Sequence, residues 1–120
     1  MLSNAYHQDL LQTHQLEALE TRKNGAIFIL PDQPWSRRVN GVFSNELARD
    51  HTARAHAVLV ECGQDCYRVS VRAPLDNKTG ADELCRQFDS GGGRKAAAGI
   101  NHLKHQDLAK FTDSFFKAFV

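Results

Sequence analysis

Short apolar runs of strand character alternate along this chain with stretches of helical period, and the last stretch carries a continuous aromatic stripe. These observations predict an α/β domain, a mixed β-sheet of about four or five strands covered by helices. The scale is that of one module, because 120 residues make a single domain. With 42% hydrophobic and 24% charged residues, the chain has the balance of a globular protein rather than of a disordered one. A chain of this size buries roughly two-thirds of its unfolded surface, so its core needs no disulfide staple.

The elements follow in order. Leu10, Leu11, His14 and Ala18 recur at helical spacing within Tyr6–Arg22, and Asn24-Gly25 supplies a C-terminal stop, so residues 1–24 are expected as a linker helix leading into a domain over residues 25–120. Ala26-Ile27-Phe28-Ile29-Leu30 is an apolar run between Gly25 and Pro31, the pattern of a strand buried on both faces. Asp32 is placed to cap a helix with Pro34 in its first turn, and Trp35, Val39, Val42, Phe43 and Leu47 then form an amphipathic face. His56–Cys62 and Cys66–Ala73 are strand-like runs joined by Gly63-Gln64-Asp65, a hairpin connection. In the second run Tyr67, Val69 and Val71 share the core face, while Arg68, Ser70 and Arg72 share the polar one.

Thr79 and Asp82 have capping-box spacing ahead of a short helix carrying Ala81, Leu84, Cys85 and Phe88. After Gly91-Gly92-Gly93, the segment Arg94 to Ala98 is expected as a helical turn, and Gly99-Ile100-Asn101 as a last strand. Leu108, Phe111, Phe115, Phe116 and Phe119 define a C-terminal helix that docks on the sheet.

A net charge of +1 argues against a broad basic face gripping long duplex nucleic acid, and leaves room for a local anion site. The sequence has neither a signal-peptide pattern nor an apolar run that would span a bilayer, so a cytoplasmic protein with no membrane partner is expected. Its three cysteines are then read as reduced thiols.

The glycine triplet is where chemistry is most legible. Such a backbone can take positive φ and lie against a ligand, and a helical turn after it would aim free N–H groups at an anion. Arg94 adds a guanidinium fork and Lys95 a point charge, which together read as a phosphate cradle. The plain alternative is a flexible loop, because the spacing matches neither the Walker pattern nor the dinucleotide fingerprint.

Gly91-Gly92-Gly93-Arg94-Lys95-Ala96-Ala97-Ala98-Gly99 resembles the signature of the DHH-associated domain, the C-terminal module of the DHH phosphoesterase family: a glycine triplet, a histidine, two variable residues, then Ala and Gly. Val69-Ser70-Val71-Arg72 resembles that domain's Ser-x-Arg strand, and most of residues 26–120 fits. The resemblance implies that residues 25–120 are a substrate-binding domain in which Ser70, Arg72, Gly91, Gly92, Gly93, Arg94 and Lys95 hold the phosphate of a nucleotide or short single-stranded nucleic acid. It implies further that manganese- or magnesium-dependent hydrolysis belongs to a preceding domain. Arg94 stands where the family has histidine, which keeps phosphate binding and removes any proton-transfer role. Neither the Asp-x-Asp nor the Asp-His-His metal motif occurs in the chain, so it is expected to be inactive alone. The alternative from another class is an interaction module that pairs, as a homo-oligomer or with a partner, through its N-terminal helix.

Other clusters read as structural. Arg49-Asp50-His51 is taken as a solvated helix end. Cys62 and Cys66 are taken as two strand-end thiols, because a zinc site would need two more ligands. His7 with His14, and His102 with His105, have no carboxylates beside them and are not expected to hold metal. Trp35 and the phenylalanines, at helical spacing, are assigned to the core.

Overall fold

The structure, a computed structural model, describes residues 18–63 and 65–119. Its strands are β1 (Glu20–Arg22), β2 (Gly25–Leu30), β3 (Ala55–Cys62), β4 (Cys66–Arg72), β5 (Gly91–Gly93) and β6 (Ala97–Lys104). Its α-helices are α1 (Pro34–Asp50), α2 (Ala81–Cys85) and α3 (Leu108–Ala118). The α/β class holds, but the sheet has six strands in the order β1-β2-β3-β4-β6-β5 rather than four or five. Only β2 and β3 run parallel, as the crossover through α1 requires; the other neighbours are antiparallel.

The two extra strands come from segments expected as helix or loop. Glu20–Arg22 is not the end of a helix but an edge strand paired with β2, and Asn24 belongs to the hairpin turn between them. The rest of the expected first helix, through residue 17, lies outside the described residues. The Asn24 side-chain amide donates to the carbonyls of Phe116 and Phe119 at 3.0 and 2.7 Å, so it closes the end of α3 instead of its own segment. The glycine triplet is β5, paired with β6 from Gly91–Ile100 to Gly93–Ala98. No helical turn follows it: Arg94 and Ala97 exchange backbone hydrogen bonds at 2.9 and 3.2 Å around the two-residue loop Lys95-Ala96.

Alternation along the strands builds two layers. Ile27, Leu59, Val69 and Val71 face α2 and α3, where Phe111 and Phe115 are fully buried. Ala26, Phe28, Val58 and Val60 face α1, where Phe43 packs edge-on to Phe28 at 5.3 Å. Continuous apolar strands at the centre of the sheet are the consequence of covering both faces.

Three local expectations are corrected. Gln33, not Asp32, is the residue before α1, and it makes no side-chain cap; the Asp32 carboxylate instead accepts from the Gly63 N–H at 2.9 Å and from Arg37 at 2.8 Å. Those two donors hold its carboxyl below the usual carboxylate range. The residue preceding α2 is Gly80, at φ +103°, where the Thr79–Asp82 capping box was expected; Thr79 bonds Asn77 and Asp82 pairs with Arg86. Cys62 and Cys66 are not separate thiols: they are cross-strand partners with Cα atoms 5.2 Å apart, joined by a disulfide. Cys85 is buried in the core, and desolvation with the nearby Asp82 charge pushes its thiol pKa up to about 12.

Candidate functional site

The β5–β6 turn and the end of β4 are tied together by the backbone. Ala73, just after β4, donates its N–H to the Ala96 carbonyl at 2.9 Å, and Ala81 donates to the Lys95 carbonyl at 3.1 Å. These bonds set Arg94, at the mouth of the turn, beside Arg72, the last residue of β4. Both line one cavity of about 660 Å³, with Asn45 and Arg49 from the last turns of α1 and with Leu75 and Lys78 from the loop after β4.

Arg49, Arg72, Lys78 and Arg94 give this cavity four cations, and among the described residues no acidic side chain lines it. Among the described residues no carboxylate forms an ion pair with any of the four. Arg72 is half-buried; burial first, and the Arg94 charge second, lower its pKa. Its guanidinium is lightly held, donating through Nε to Asn45 Oδ1 and through Nη1 to the Val71 carbonyl, each at 3.4 Å. An anion entering here would relieve the repulsion between the arginines and offer stronger acceptors than those two. A cavity of about 800 Å³ beneath Gly80 is larger, but Asp76 and Glu83 line it against one lysine, Lys23, so it has no such preference.

The other expected site residues are placed differently. The Ser70 hydroxyl, half-buried under α1, accepts from the Asn40 amide at 3.1 Å and does not line the cavity. Lys95 is exposed at the tip of the turn, also outside the lining. Of the three glycines, only Gly93 has positive φ, at +140°. A Cβ on Gly91 would fall 1.7 Å from the Cys85 carbonyl oxygen, and one on Gly93 would fall 2.5 Å from Ala98 Cα. Gly91 and Gly93 therefore let β5 lie against α2 and β6, while Gly92 faces open space.

Asn45, Arg49 and Lys78 were not legible as site residues. The sequence reads Arg49 as a solvated helix end, yet Val42, Asn45 and Arg49 stand at spacings of three and four and make a second face of the helix beside the apolar one.

Among the described residues no cluster fits a hard divalent metal. Among the described residues the group of three metal-ligating side chains that converges is Cys62, Cys66 and His102, whose soft donors do not suit manganese or magnesium.

No family model matches the chain, and no curated protein matches it. Solved structures do. An exopolyphosphatase-related protein from Bacteroides fragilis superposes over 96% of this chain with a TM-score of 0.65 at 16% identity. A pGpG-specific phosphodiesterase from Vibrio cholerae superposes over 96% with a TM-score of 0.60 at 10% identity. At those identities the likeness is one of fold. The chain spans 34% and 40% of the length of these two structures.

Proposed function

We propose that the arginine cavity binds the phosphate of a nucleotide or short single-stranded nucleic acid, and that the chain is the substrate-binding part of a DHH-type phosphoesterase. The observation that carries this reading is the gathering of Arg49, Arg72, Lys78 and Arg94 around one cavity with no carboxylate among the described residues that line it, in a chain whose net charge is only +1. Val42, Leu75 and Ala97 add apolar surface beside the cations, which suits a ribose or base attached to the phosphate better than a bare anion. The fold likeness to a phosphodiesterase and an exopolyphosphatase-related protein supports the same class.

In this reading Arg72 and Arg94 clamp the phosphate and Arg49 and Lys78 add charge at its rim. The family's hydrolysis depends on manganese or magnesium, whose ligands belong to the catalytic domain, so the chain binds and orients but does not cleave. Few phosphates are neutralised, and the affinity is modest and salt-sensitive.

The test is a fluorescence-anisotropy titration of the chain with a labelled RNA dinucleotide, with and without a 5′-phosphate, at two salt concentrations. The phosphorylated probe is expected to bind more tightly, with the difference shrinking at high salt. Equal affinity for both probes, or no binding of either, would overturn the proposal.

A further inference from the structure

The end of β4 remote from the arginine cavity carries a second constellation, independent of the phosphate reading. The β3–β4 hairpin sets Cys62 opposite Cys66, and β6 pairs Lys104 with Cys66 on the other side. The β4–β6 register shifts between Tyr67 and Val69, which leaves Asn101 and His102 opposite the single residue Arg68, on the face of β4 that Cys66 shares. The two sulfurs and an imidazole nitrogen of His102 lie within 4.8 Å of one another. His102 is exposed, and its engagement is through the backbone: its N–H donates to Ser90 Oγ at 3.0 Å. His102, with Asp65 and His105, lines an open cavity of about 460 Å³, while Cys62 is half-buried and Cys66 buried behind it.

We propose that Cys62, Cys66 and His102 form a metal site for a thiophilic divalent cation, zinc being the best chemical match, which the disulfide closes and reduction opens. Two thiolates and one imidazole are donors that favour zinc, and three protein ligands leave a fourth tetrahedral position for water or a small ligand. Two sulfurs on one zinc stand about 3.8 Å apart at the usual bond length and tetrahedral angle. Side-chain rotation across a pair whose Cα atoms are 5.2 Å apart can supply that separation once the S–S bond is cut.

The redox step balances with a dithiol as reductant. Two electrons and two protons pass to the Cys62–Cys66 disulfide, giving two thiols, and the dithiol becomes a disulfide. On metal binding each thiol releases its proton to solvent as the sulfur–metal bond forms, and His102 binds as neutral imidazole. In the oxidised chain the sulfurs are bonded to each other and are not available as thiolates.

The experiment uses the full 120-residue chain, reduced with a phosphine in metal-free buffer and titrated with cobalt(II). Binding is read by the thiolate-to-cobalt charge-transfer band and the visible bands of tetrahedral cobalt. Saturation at one equivalent, displacement by zinc, and silence of the disulfide form are expected. His102→Ala, at an exposed position, and Cys62→Ser should each weaken binding by at least about tenfold, and His105→Ala should not. A reduced chain without the tetrahedral bands, an oxidised chain that binds as well as the reduced one, or a His102→Ala variant with unchanged affinity and spectrum would overturn the proposal. The oxidised–reduced comparison needs no variant, so it stands even if Cys62→Ser does not fold.

Discussion

The two faces of the sheet are covered unequally. On one, α2 and α3 lay Leu84, Phe111 and Phe115 over the strands, all fully buried. On the other, α1 packs Phe43 and Leu47 against β2 and β3, but near its C-terminal end its neighbours are Arg72, Arg94 and open space. One strand supplies both: β4 sends Val69 and Val71 into the closed layer, and Ser70 and Arg72 toward the open one. Apolar periodicity locates the closed layer. The ligand-accessible chemistry gathers where the covering helix runs out.

The sharpest way to break that contrast is to open the closed layer. Phe115 is fully buried, packs edge-on to Phe116 at 5.0 Å, and fills the space left by Gly25, whose Cβ would come within 2.7 Å of its ring. Phe115→Ala should cost about 3–5 kcal/mol. Urea denaturation reads it, and a loss under about 1 kcal/mol would mean that the layer is not close-packed there.

A second asymmetry is acid sensitivity. His56 lies on the α1 face with 1% exposure; its Nε2 accepts from Arg54 at 2.9 Å, and its Nδ1 has no partner among the described residues. Burial, then the charges of Arg54 and His51, push its pKa down to about 4. The unfolded chain therefore takes up the proton first, and stability falls as pH drops from about 6.5 toward 4, by up to about 3 kcal/mol. His56→Gln should flatten that part of the stability–pH curve; parallel curves for the two proteins would remove His56 as the cause.

The open face is tested by charge. Arg94→Ala and Arg72→Ala should each lower affinity for a 5′-phosphorylated dinucleotide by about ten- to a hundredfold, the loss of a charge-assisted contact of roughly 1.5–3 kcal/mol. Arg94 is exposed, so its substitution should leave the urea midpoint in place. An affinity loss matched by a stability loss would make the effect structural.

What the sequence made legible follows the same division. Leu108, Phe111 and Phe115 announce α3, and Tyr67, Val69 and Val71 announce the core face of β4, because burial imposes a period. β1 and β5 impose none: each is three residues long, and Glu-Thr-Arg and Gly-Gly-Gly carry no apolar alternation. Pairing with a long neighbour makes them strands, and pairing is a tertiary fact. Arg72 and Arg94 were legible as basic groups near one another through the resemblance. Asn45, Arg49 and Lys78 were not, since their convergence depends on where α1 ends over β4. Gly63-Gln64-Asp65 makes the hairpin that flanks Cys62 and Cys66 legible, but His102 reaches them only through the β4–β6 register.

The smallest expected effect separates backbone from side chain at the glycine strand. Gly91 and Gly93 are held by close approach, to the Cys85 carbonyl and to Ala98, so alanine at either must displace neighbouring backbone. Gly92 has neither positive φ nor any atom within 4 Å of a built Cβ, and it does not line the arginine cavity. Gly92→Ala should therefore change stability by no more than about 0.5 kcal/mol. It should also leave the affinity for the phosphorylated dinucleotide where it was. Urea midpoints and the anisotropy titration, run on Gly91→Ala beside Gly92→Ala, read both quantities. If Gly92→Ala folds normally yet binds about tenfold more weakly, the ligand reaches past Arg94 to the backbone of β5, and the binding surface extends from the cavity onto the sheet edge.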